Sequence, residues 1–193
     1  MTPLNVVTFC AFALTAIALY FVAKLPFLPP WAIFIAWACF FHLDGGANRN
    51  QAYLAVVTHL GLGALAAWVS AIALLLNPFS SELVADWWGP VLIGAVIAVI
   101  TRLGTIPRFS ITPAIIYGYA SFFAFAGTTG YFSLDRFLSL SFTNGLIAVV
   151  VCQILGATAG YVNVLAIETI LRFGALRKKP GAAPVAARDA EAV

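Results

Sequence analysis

The sequence predicts an all-α, polytopic integral membrane protein: six transmembrane helices arranged as a 3+3 inverted repeat. Three observations predict it. Apolar residues make up 63% of the 193 residues and charged ones only 9%, where an ordinary globular domain is about one quarter charged. The apolar residues come in long continuous runs, without the two-residue alternation of a barrel strand. Two apolar phrases are also written twice, in the same order along the chain.

A spanning helix needs roughly 17–25 apolar residues, and the runs place helices at about 4–23, 29–44, 52–76, 87–104, 109–127 and 145–170. The first, LNVVTFCAFALTAIALYFVA, lacks a basic leader and a small-residue cleavage site, so it reads as a span rather than a secretory signal. LPFLPP separates it from the second, and DGGANRN separates the second from the third. NPFSSE, a short Arg102–Arg108 link and GTTGYFSLDR make the remaining breaks. The stretch 128–144 reads as an outer-surface helix or a re-entrant piece. Residues 173–193, rich in Ala, Pro and charge, read as a disordered cytoplasmic tail.

Lysine and arginine set the orientation. With the C-terminus in the cytoplasm, six spans put the N-terminus there too. Arg49, Arg102, Arg108, Arg172, Arg177, Lys178, Lys179 and Arg188 then lie inside, against Lys24 and Arg136 outside. Trp31, Trp87 and Trp88 fall at the outer boundary, where amphipathic rings settle. The expected location is a bacterial inner membrane, crossed several times, and the lipid bilayer is the first partner. The net charge of +3 is thinly spread and serves lipid orientation, not nucleic acid.

The first echo pairs LGALAAWVS (62–70) with LGATAGYVN (155–163), five of nine letters agreeing. The second pairs AIFIAWACFFHLDG (32–45) with AIIYGYASFFAFAG (114–127), six of fourteen agreeing. Helices two and three thus correspond to five and six, leaving one to pair with four. Three spans is an odd number, so the halves would lie in opposite directions, the plan of many transporters. Gly63 with Ala67, and Gly156 with Gly160, form small-xxx-small pairs that let helix backbones approach, and they are read as a packing seam. GLGALA lies inside a span and is no nucleotide loop.

Short or Pro-interrupted spans at matching places point to a transport site. Trp37, Phe40, Phe41, Tyr119, Phe122 and Phe123 are candidates to narrow a path between helices two and five, with core or lipid-facing packing as the alternative. Intramembrane polar residues are costly and therefore functional candidates. His59 would relay protons or donate to a solute, or else bond a neighbouring carbonyl. Gln153 and Asn163 would line a polar path or bond across helices. His42 and Asp44, with His59, make a weak metal set, and interfacial capping is preferred to it. Glu168 and Arg172 have the spacing of a surface pair. Cys10, Cys39 and Cys152 have no metal or disulfide spacing and read as buried thiols. No HExxH, GxSxG or phosphate loop occurs, so no enzyme, metal or cofactor is expected.

PPWAIFIAWACFFHLDGG, TPAIIYGYASFFAFAG and LGATAGYVN together resemble a bacterial inner-membrane family known as domain of unknown function 1097, over roughly residues 5–172. The resemblance implies six helices and brings no activity and no binding residues. The residues themselves support a channel or transporter for a small, neutral or weakly charged solute, since no carboxylate lies at mid-depth to couple an ion. A non-transporting scaffold or accessory subunit is the alternative, and a homo-oligomer is compatible with the small-residue seams.

Overall fold

A computed structural model describes residues 2–128 and 130–177. Among these residues there is no strand; the elements are α1 (Pro3–Val22), α2 (Pro30–His42), α3 (Arg49–Leu75), α4 (Glu82–Leu103), a 3₁₀ turn (Pro107–Phe109), α5 (Thr112–Thr128), α6 (Leu134–Phe137) and α7 (Gly145–Arg177). Local chemistry sets their ends. Thr2 Oγ1 accepts from Asn5 N at 3.3 Å and Pro3 opens α1, a side-chain cap followed by the residue with no amide to lose. Pro30 opens α2 in the same way. Beyond His42 the chain turns back through Asp44, at φ 61°, a left-handed conformation that Asp tolerates better than most side chains. Asp44 also accepts from Asn48 Nδ2 at 2.6 Å.

The centre of the bundle is the pair α3 and α7, which run antiparallel. Arg49 meets Glu168 at 2.9 Å, Asn50 accepts from Tyr161 at 2.9 Å, and Ala64 clusters with Ala148 and Val149. Rising numbers on α3 thus meet falling numbers on α7. The longest helix contacts are α5 on α3 and α2 on α7, while α1 lies against α7 and α4 against α3 and α5.

The two ends of the bundle differ. At one end are the Arg49–Glu168 pair and the Tyr161–Asn50 bond. At the other, the Phe27 and Phe142 rings meet at a tilt of 30° with centroids 4.6 Å apart, and Trp68 Nε1 donates to Phe137 O at 2.8 Å. Trp88 Nε1, at the start of α4, donates to Ala73 O at 3.1 Å near the end of α3.

Length qualifies the expectation of six spans. Among the described residues four helices are long and apolar enough to cross a membrane: α1, α3, residues Val84–Leu103 of α4, and Gly145–Gly174 of α7. Helix α2 has 13 residues and α5 has 17, so at ~1.5 Å per residue both are shorter than a bilayer core is thick. Prolines on one side and the Asp44 turn on the other cut α2 back from the expected 29–44. Helix α7 in turn outruns its expected end: residues 173–177 are helical instead of starting a tail, since Ala, Leu and Arg favour helix. The rest of the expected tail, 178–193, lies outside the described residues. The stretch 128–144 contains the single turn of α6, which turns Phe137 fully inward and leaves Leu140 98% exposed.

Exposed apolar side chains cover α1 (Leu4, Phe9, Phe12, Tyr20, Phe21) and α4 (Trp87, Val91, Val99). Water does not tolerate so large an apolar exterior on a folded monomer. A lipid bilayer does, and the chain is a membrane protein.

Candidate functional site

A cavity of about 750 Å³ opens between α1, α2 and the second half of α7. Helix α1 contributes Val7, Ala11 and Thr15, four residues apart and so on one face. Helix α2 contributes Phe34, Trp37, Ala38 and Phe41, again one face at three- and four-residue steps, with Gly46 just beyond. Asn163, Val164, Ile167 and Glu168 of α7 form the floor. The walls are apolar, and the small Ala11 and Ala38 leave the space between them unfilled.

Three polar side chains reach this groove. Asn163 is only 4% exposed, and its Oδ1 has no hydrogen-bond partner among the described residues. Glu168 is held by Arg49 across 119 residues of sequence, not by Arg172 at the surface-pair spacing. Arg49 also lies over the Tyr161 ring, 5.8 Å from its centroid. About a third of each partner of this ion pair is exposed, so it adds little stability, but it neutralises the carboxylate at the end of the groove. Thr15 is the third.

The other candidates fall elsewhere. Phe40 and Phe122 are completely enclosed, each in its own core, Phe40 with Ala36, Leu60 and Ala157, Phe122 with Ala67, Tyr119 and Phe137. The partner ring of each doublet is less buried: Phe41 faces the groove, and Phe123 packs at the edge of the Phe122 core. The seam residues sit where backbones meet. A Cβ on Gly63 would collide with Ile115 O, and one on Gly156 with Ile33 O. Gly160 faces the Phe40 ring, 2.6 Å from where its Cβ would be.

His59 Nδ1 lies 2.7 Å from Ala55 O one turn back, so it donates there and Nε2 is the acceptor. That Nε2 is buried and unpartnered, as are Ser121 Oγ and both amide atoms of Gln153. The Tyr119 hydroxyl is likewise buried without a partner among the described residues, and Ser70 donates to Ala66 O. Each buried polar atom left unpaired costs about 1–3 kcal/mol. Among the described residues no three His, Cys, Asp or Glu side chains converge. His42 ends α2, and Asp44 is engaged in its turn.

Sequence reasoning singled out Trp37, Phe41 and Asn163 but not Val7, Ala11 and Thr15, the opposite wall. Their four-residue spacing puts them on one face of α1, but nothing in their chemistry sets them apart from the rest of that helix.

Fold and groove define a class: an all-helical membrane protein with an apolar cavity and a buried amide at its floor. The chain belongs to the family described as Protein of unknown function (DUF1097), whose profile matches residues 9–166. That match runs from α1 well into α7 and takes in the groove except for Val7, Ile167 and Glu168. No curated protein and no solved structure matches the chain.

Proposed function

We propose that the chain is a channel or transporter for a small, neutral or weakly charged solute, built as two inverted halves of three crossings, α1–α3 and α4, α5, α7. The observation that carries this reading is a pair of exchanged contacts. Gly63 abuts Ile115 and Gly156 abuts Ile33, and the sequence echoes equate Gly63 with Gly156 and Ile33 with Ile115. Each half therefore presses its glycine on the other half's isoleucine carbonyl, as a two-fold arrangement requires. The corresponding helices α3 and α7 also run antiparallel, the direction an inverted copy demands.

The halves differ where a solute would enter. The positions equated with Trp37, Phe41 and Val164 are Tyr119, Phe123 and Ala71. These three pack with Ile93, Val96 and Ile97 of α4. On that half the outer helix closes down; on the other, α1 stands off α2 and leaves the groove. An open cleft on one half and a closed one on the other is the asymmetry a transporter exchanges between its end states. The path accordingly runs along the groove, past Trp37, Phe41 and Asn163, rather than directly between α2 and α5. In this reading α2 and α5 complete six crossings as short helices shielded by their neighbours. The Arg49, Arg102, Arg108 and Arg172 end faces the cytoplasm, with both termini, of a bacterial inner membrane.

The enclosed Phe40 and Phe122 favour a second reading, a scaffold or accessory subunit packed shut around α3 and α7. Solute flux into proteoliposomes separates the two. Wild-type chain should pass at least one member of a panel of small uncharged solutes, and Ala38→Trp and Phe41→Trp, which fill the groove, should lower that flux about tenfold or more. Gly61→Ala, with open space at its Cβ, should leave it unchanged. Flux no greater than in empty liposomes, or untouched by both tryptophans, contradicts transport through the groove.

A further inference from the structure

We propose that the groove between α1, α2 and α7 binds an uncharged, single-chain amphiphile carrying a hydroxyl group, drawn from the surrounding bilayer: a long-chain alcohol or a monoacylglycerol is the chemical class. This deepens the transport reading by naming what the site takes, and it rests on that reading only where binding is linked to flux.

The body of the ligand follows from the walls. Val7, Ala11, Phe34, Trp37 and Phe41 offer apolar surface, and a cavity of about 750 Å³ lies within the range of roughly 300–1,000 Å³ that encloses one small-molecule ligand. The groove lies beside α1, whose outer face is apolar and exposed. Its natural supply is the hydrocarbon phase, where a chain enters without leaving apolar surroundings.

The polar group follows from Asn163. Its Oδ1 is a buried acceptor with no hydrogen-bond donor among the described residues, a deficit that a ligand O–H repairs. Thr15, on the α1 wall of the same groove, carries a second hydroxyl. Helical threonines elsewhere in the chain, Thr8, Thr101, Thr158 and Thr169, donate to the carbonyl four residues back. Thr15 has no such bond among the described residues, so its hydroxyl is available to a ligand. A ligand hydroxyl both donates and accepts, so it can pair with either side chain.

The absence of charge follows from Glu168. Arg49 already satisfies that carboxylate, and no other ionisable side chain lines the groove. A carboxylate or ammonium ligand would enter an apolar slot with nothing to offset its lost hydration.

The test uses the full chain in phosphatidylcholine nanodiscs and three photoreactive twelve-carbon probes: dodecanol, dodecane and dodecanoate, each with a diazirine at mid-chain. Peptide mapping should find the dodecanol probe on α1, α2 and α7, displaced by excess 1-dodecanol. Dodecane and dodecanoate should label the same peptides about tenfold less. Asn163→Leu should remove the alcohol's advantage while dodecane labelling persists, and Ala38→Trp should abolish both. Equal labelling by dodecane, meaning bulk lipid only, overturns the proposal. So does preference for dodecanoate, diffuse labelling over the whole exterior, or cross-links from the groove to a second copy. The three-probe comparison needs no variant, so it decides even if Asn163→Leu fails to fold. Selective binding without any flux sinks the transport reading and leaves the site standing.

Discussion

Gly63→Ala and Gly156→Ala should each destabilise the folded protein by about 3 kcal/mol, while Gly61→Ala, two residues from the first on the same helix, should be harmless. The added methyl at Gly63 collides with Ile115 O and comes within 2.7 Å of Tyr119 N; at Gly156 it collides with Ile33 O and comes within 2.8 Å of Ala36 Cβ. These are backbone atoms or side chains fixed to them, so no rotamer change relieves the clash. The helices must separate, and the cavity that opens adds to the cost. Overpacking a core by one methyl typically costs about 1–3 kcal/mol, and a backbone-to-backbone crossing sits at the upper end. Alanine at Gly61 meets nothing within 4 Å and gains up to ~1 kcal/mol of helix propensity. Thermal unfolding followed by size-exclusion chromatography in detergent reads all three. A Gly63→Ala protein as stable as Gly61→Ala would mean that α3 and α5 do not cross here.

The second large effect separates two adjacent rings. Phe40→Ala should lower stability by about 3–5 kcal/mol, the usual cost of emptying an enclosed phenylalanine site, because Phe40 is 0% exposed and its ring lies against both Gly45 and Gly160. Phe41→Ala should cost about 1 kcal/mol or less, since that ring is 41% exposed and meets Phe40 only edge-on, at 5.4 Å and 84°. Its loss should instead appear in the groove, as altered solute or amphiphile binding. The same thermal assay distinguishes them, and equal losses for both rings would refute the burial on which the groove's boundary depends.

The sequence carried much of this in its two echoes. Matching 62–70 to 155–163 singled out Gly63 and Gly156, and matching 32–45 to 114–127 singled out the Phe40–Phe41 and Phe122–Phe123 doublets. It did not carry which ring of each doublet is inside, because both lie on a helix with neighbours on several sides. Nor could it assign partners: lipid supplies no hydrophobic drive between helices, so a span's composition does not say that α2 packs on α7 and α5 on α3. The shortness of α2 was visible in its prolines, and the buried His59, Gln153 and Asn163 in their cost. The outer wall of the groove was not visible. Val7, Ala11 and Thr15 are ordinary membrane-helix residues, and only the stand-off of α1 from α2 gives them a role. The inward turn of Phe137 was hidden too, since it depends on Trp68 and Asn144 both donating to its carbonyl, at 2.8 and 2.7 Å.

The account rests on two short helices completing six crossings, so that the halves are upside-down copies. Single cysteines, placed in a chain whose Cys10, Cys39 and Cys152 are replaced by alanine, test it in intact cells with a membrane-impermeant thiol reagent. Lys24→Cys, Ser80→Cys and Leu140→Cys should react from outside, and Gly46→Cys and Thr105→Cys only after the membrane is opened. Lys24 and Gly46 flank α2, and Thr105 and Leu140 flank α5. Equal labelling of either flanking pair from one side would show that the short helix does not cross, and the inverted architecture would be lost with it.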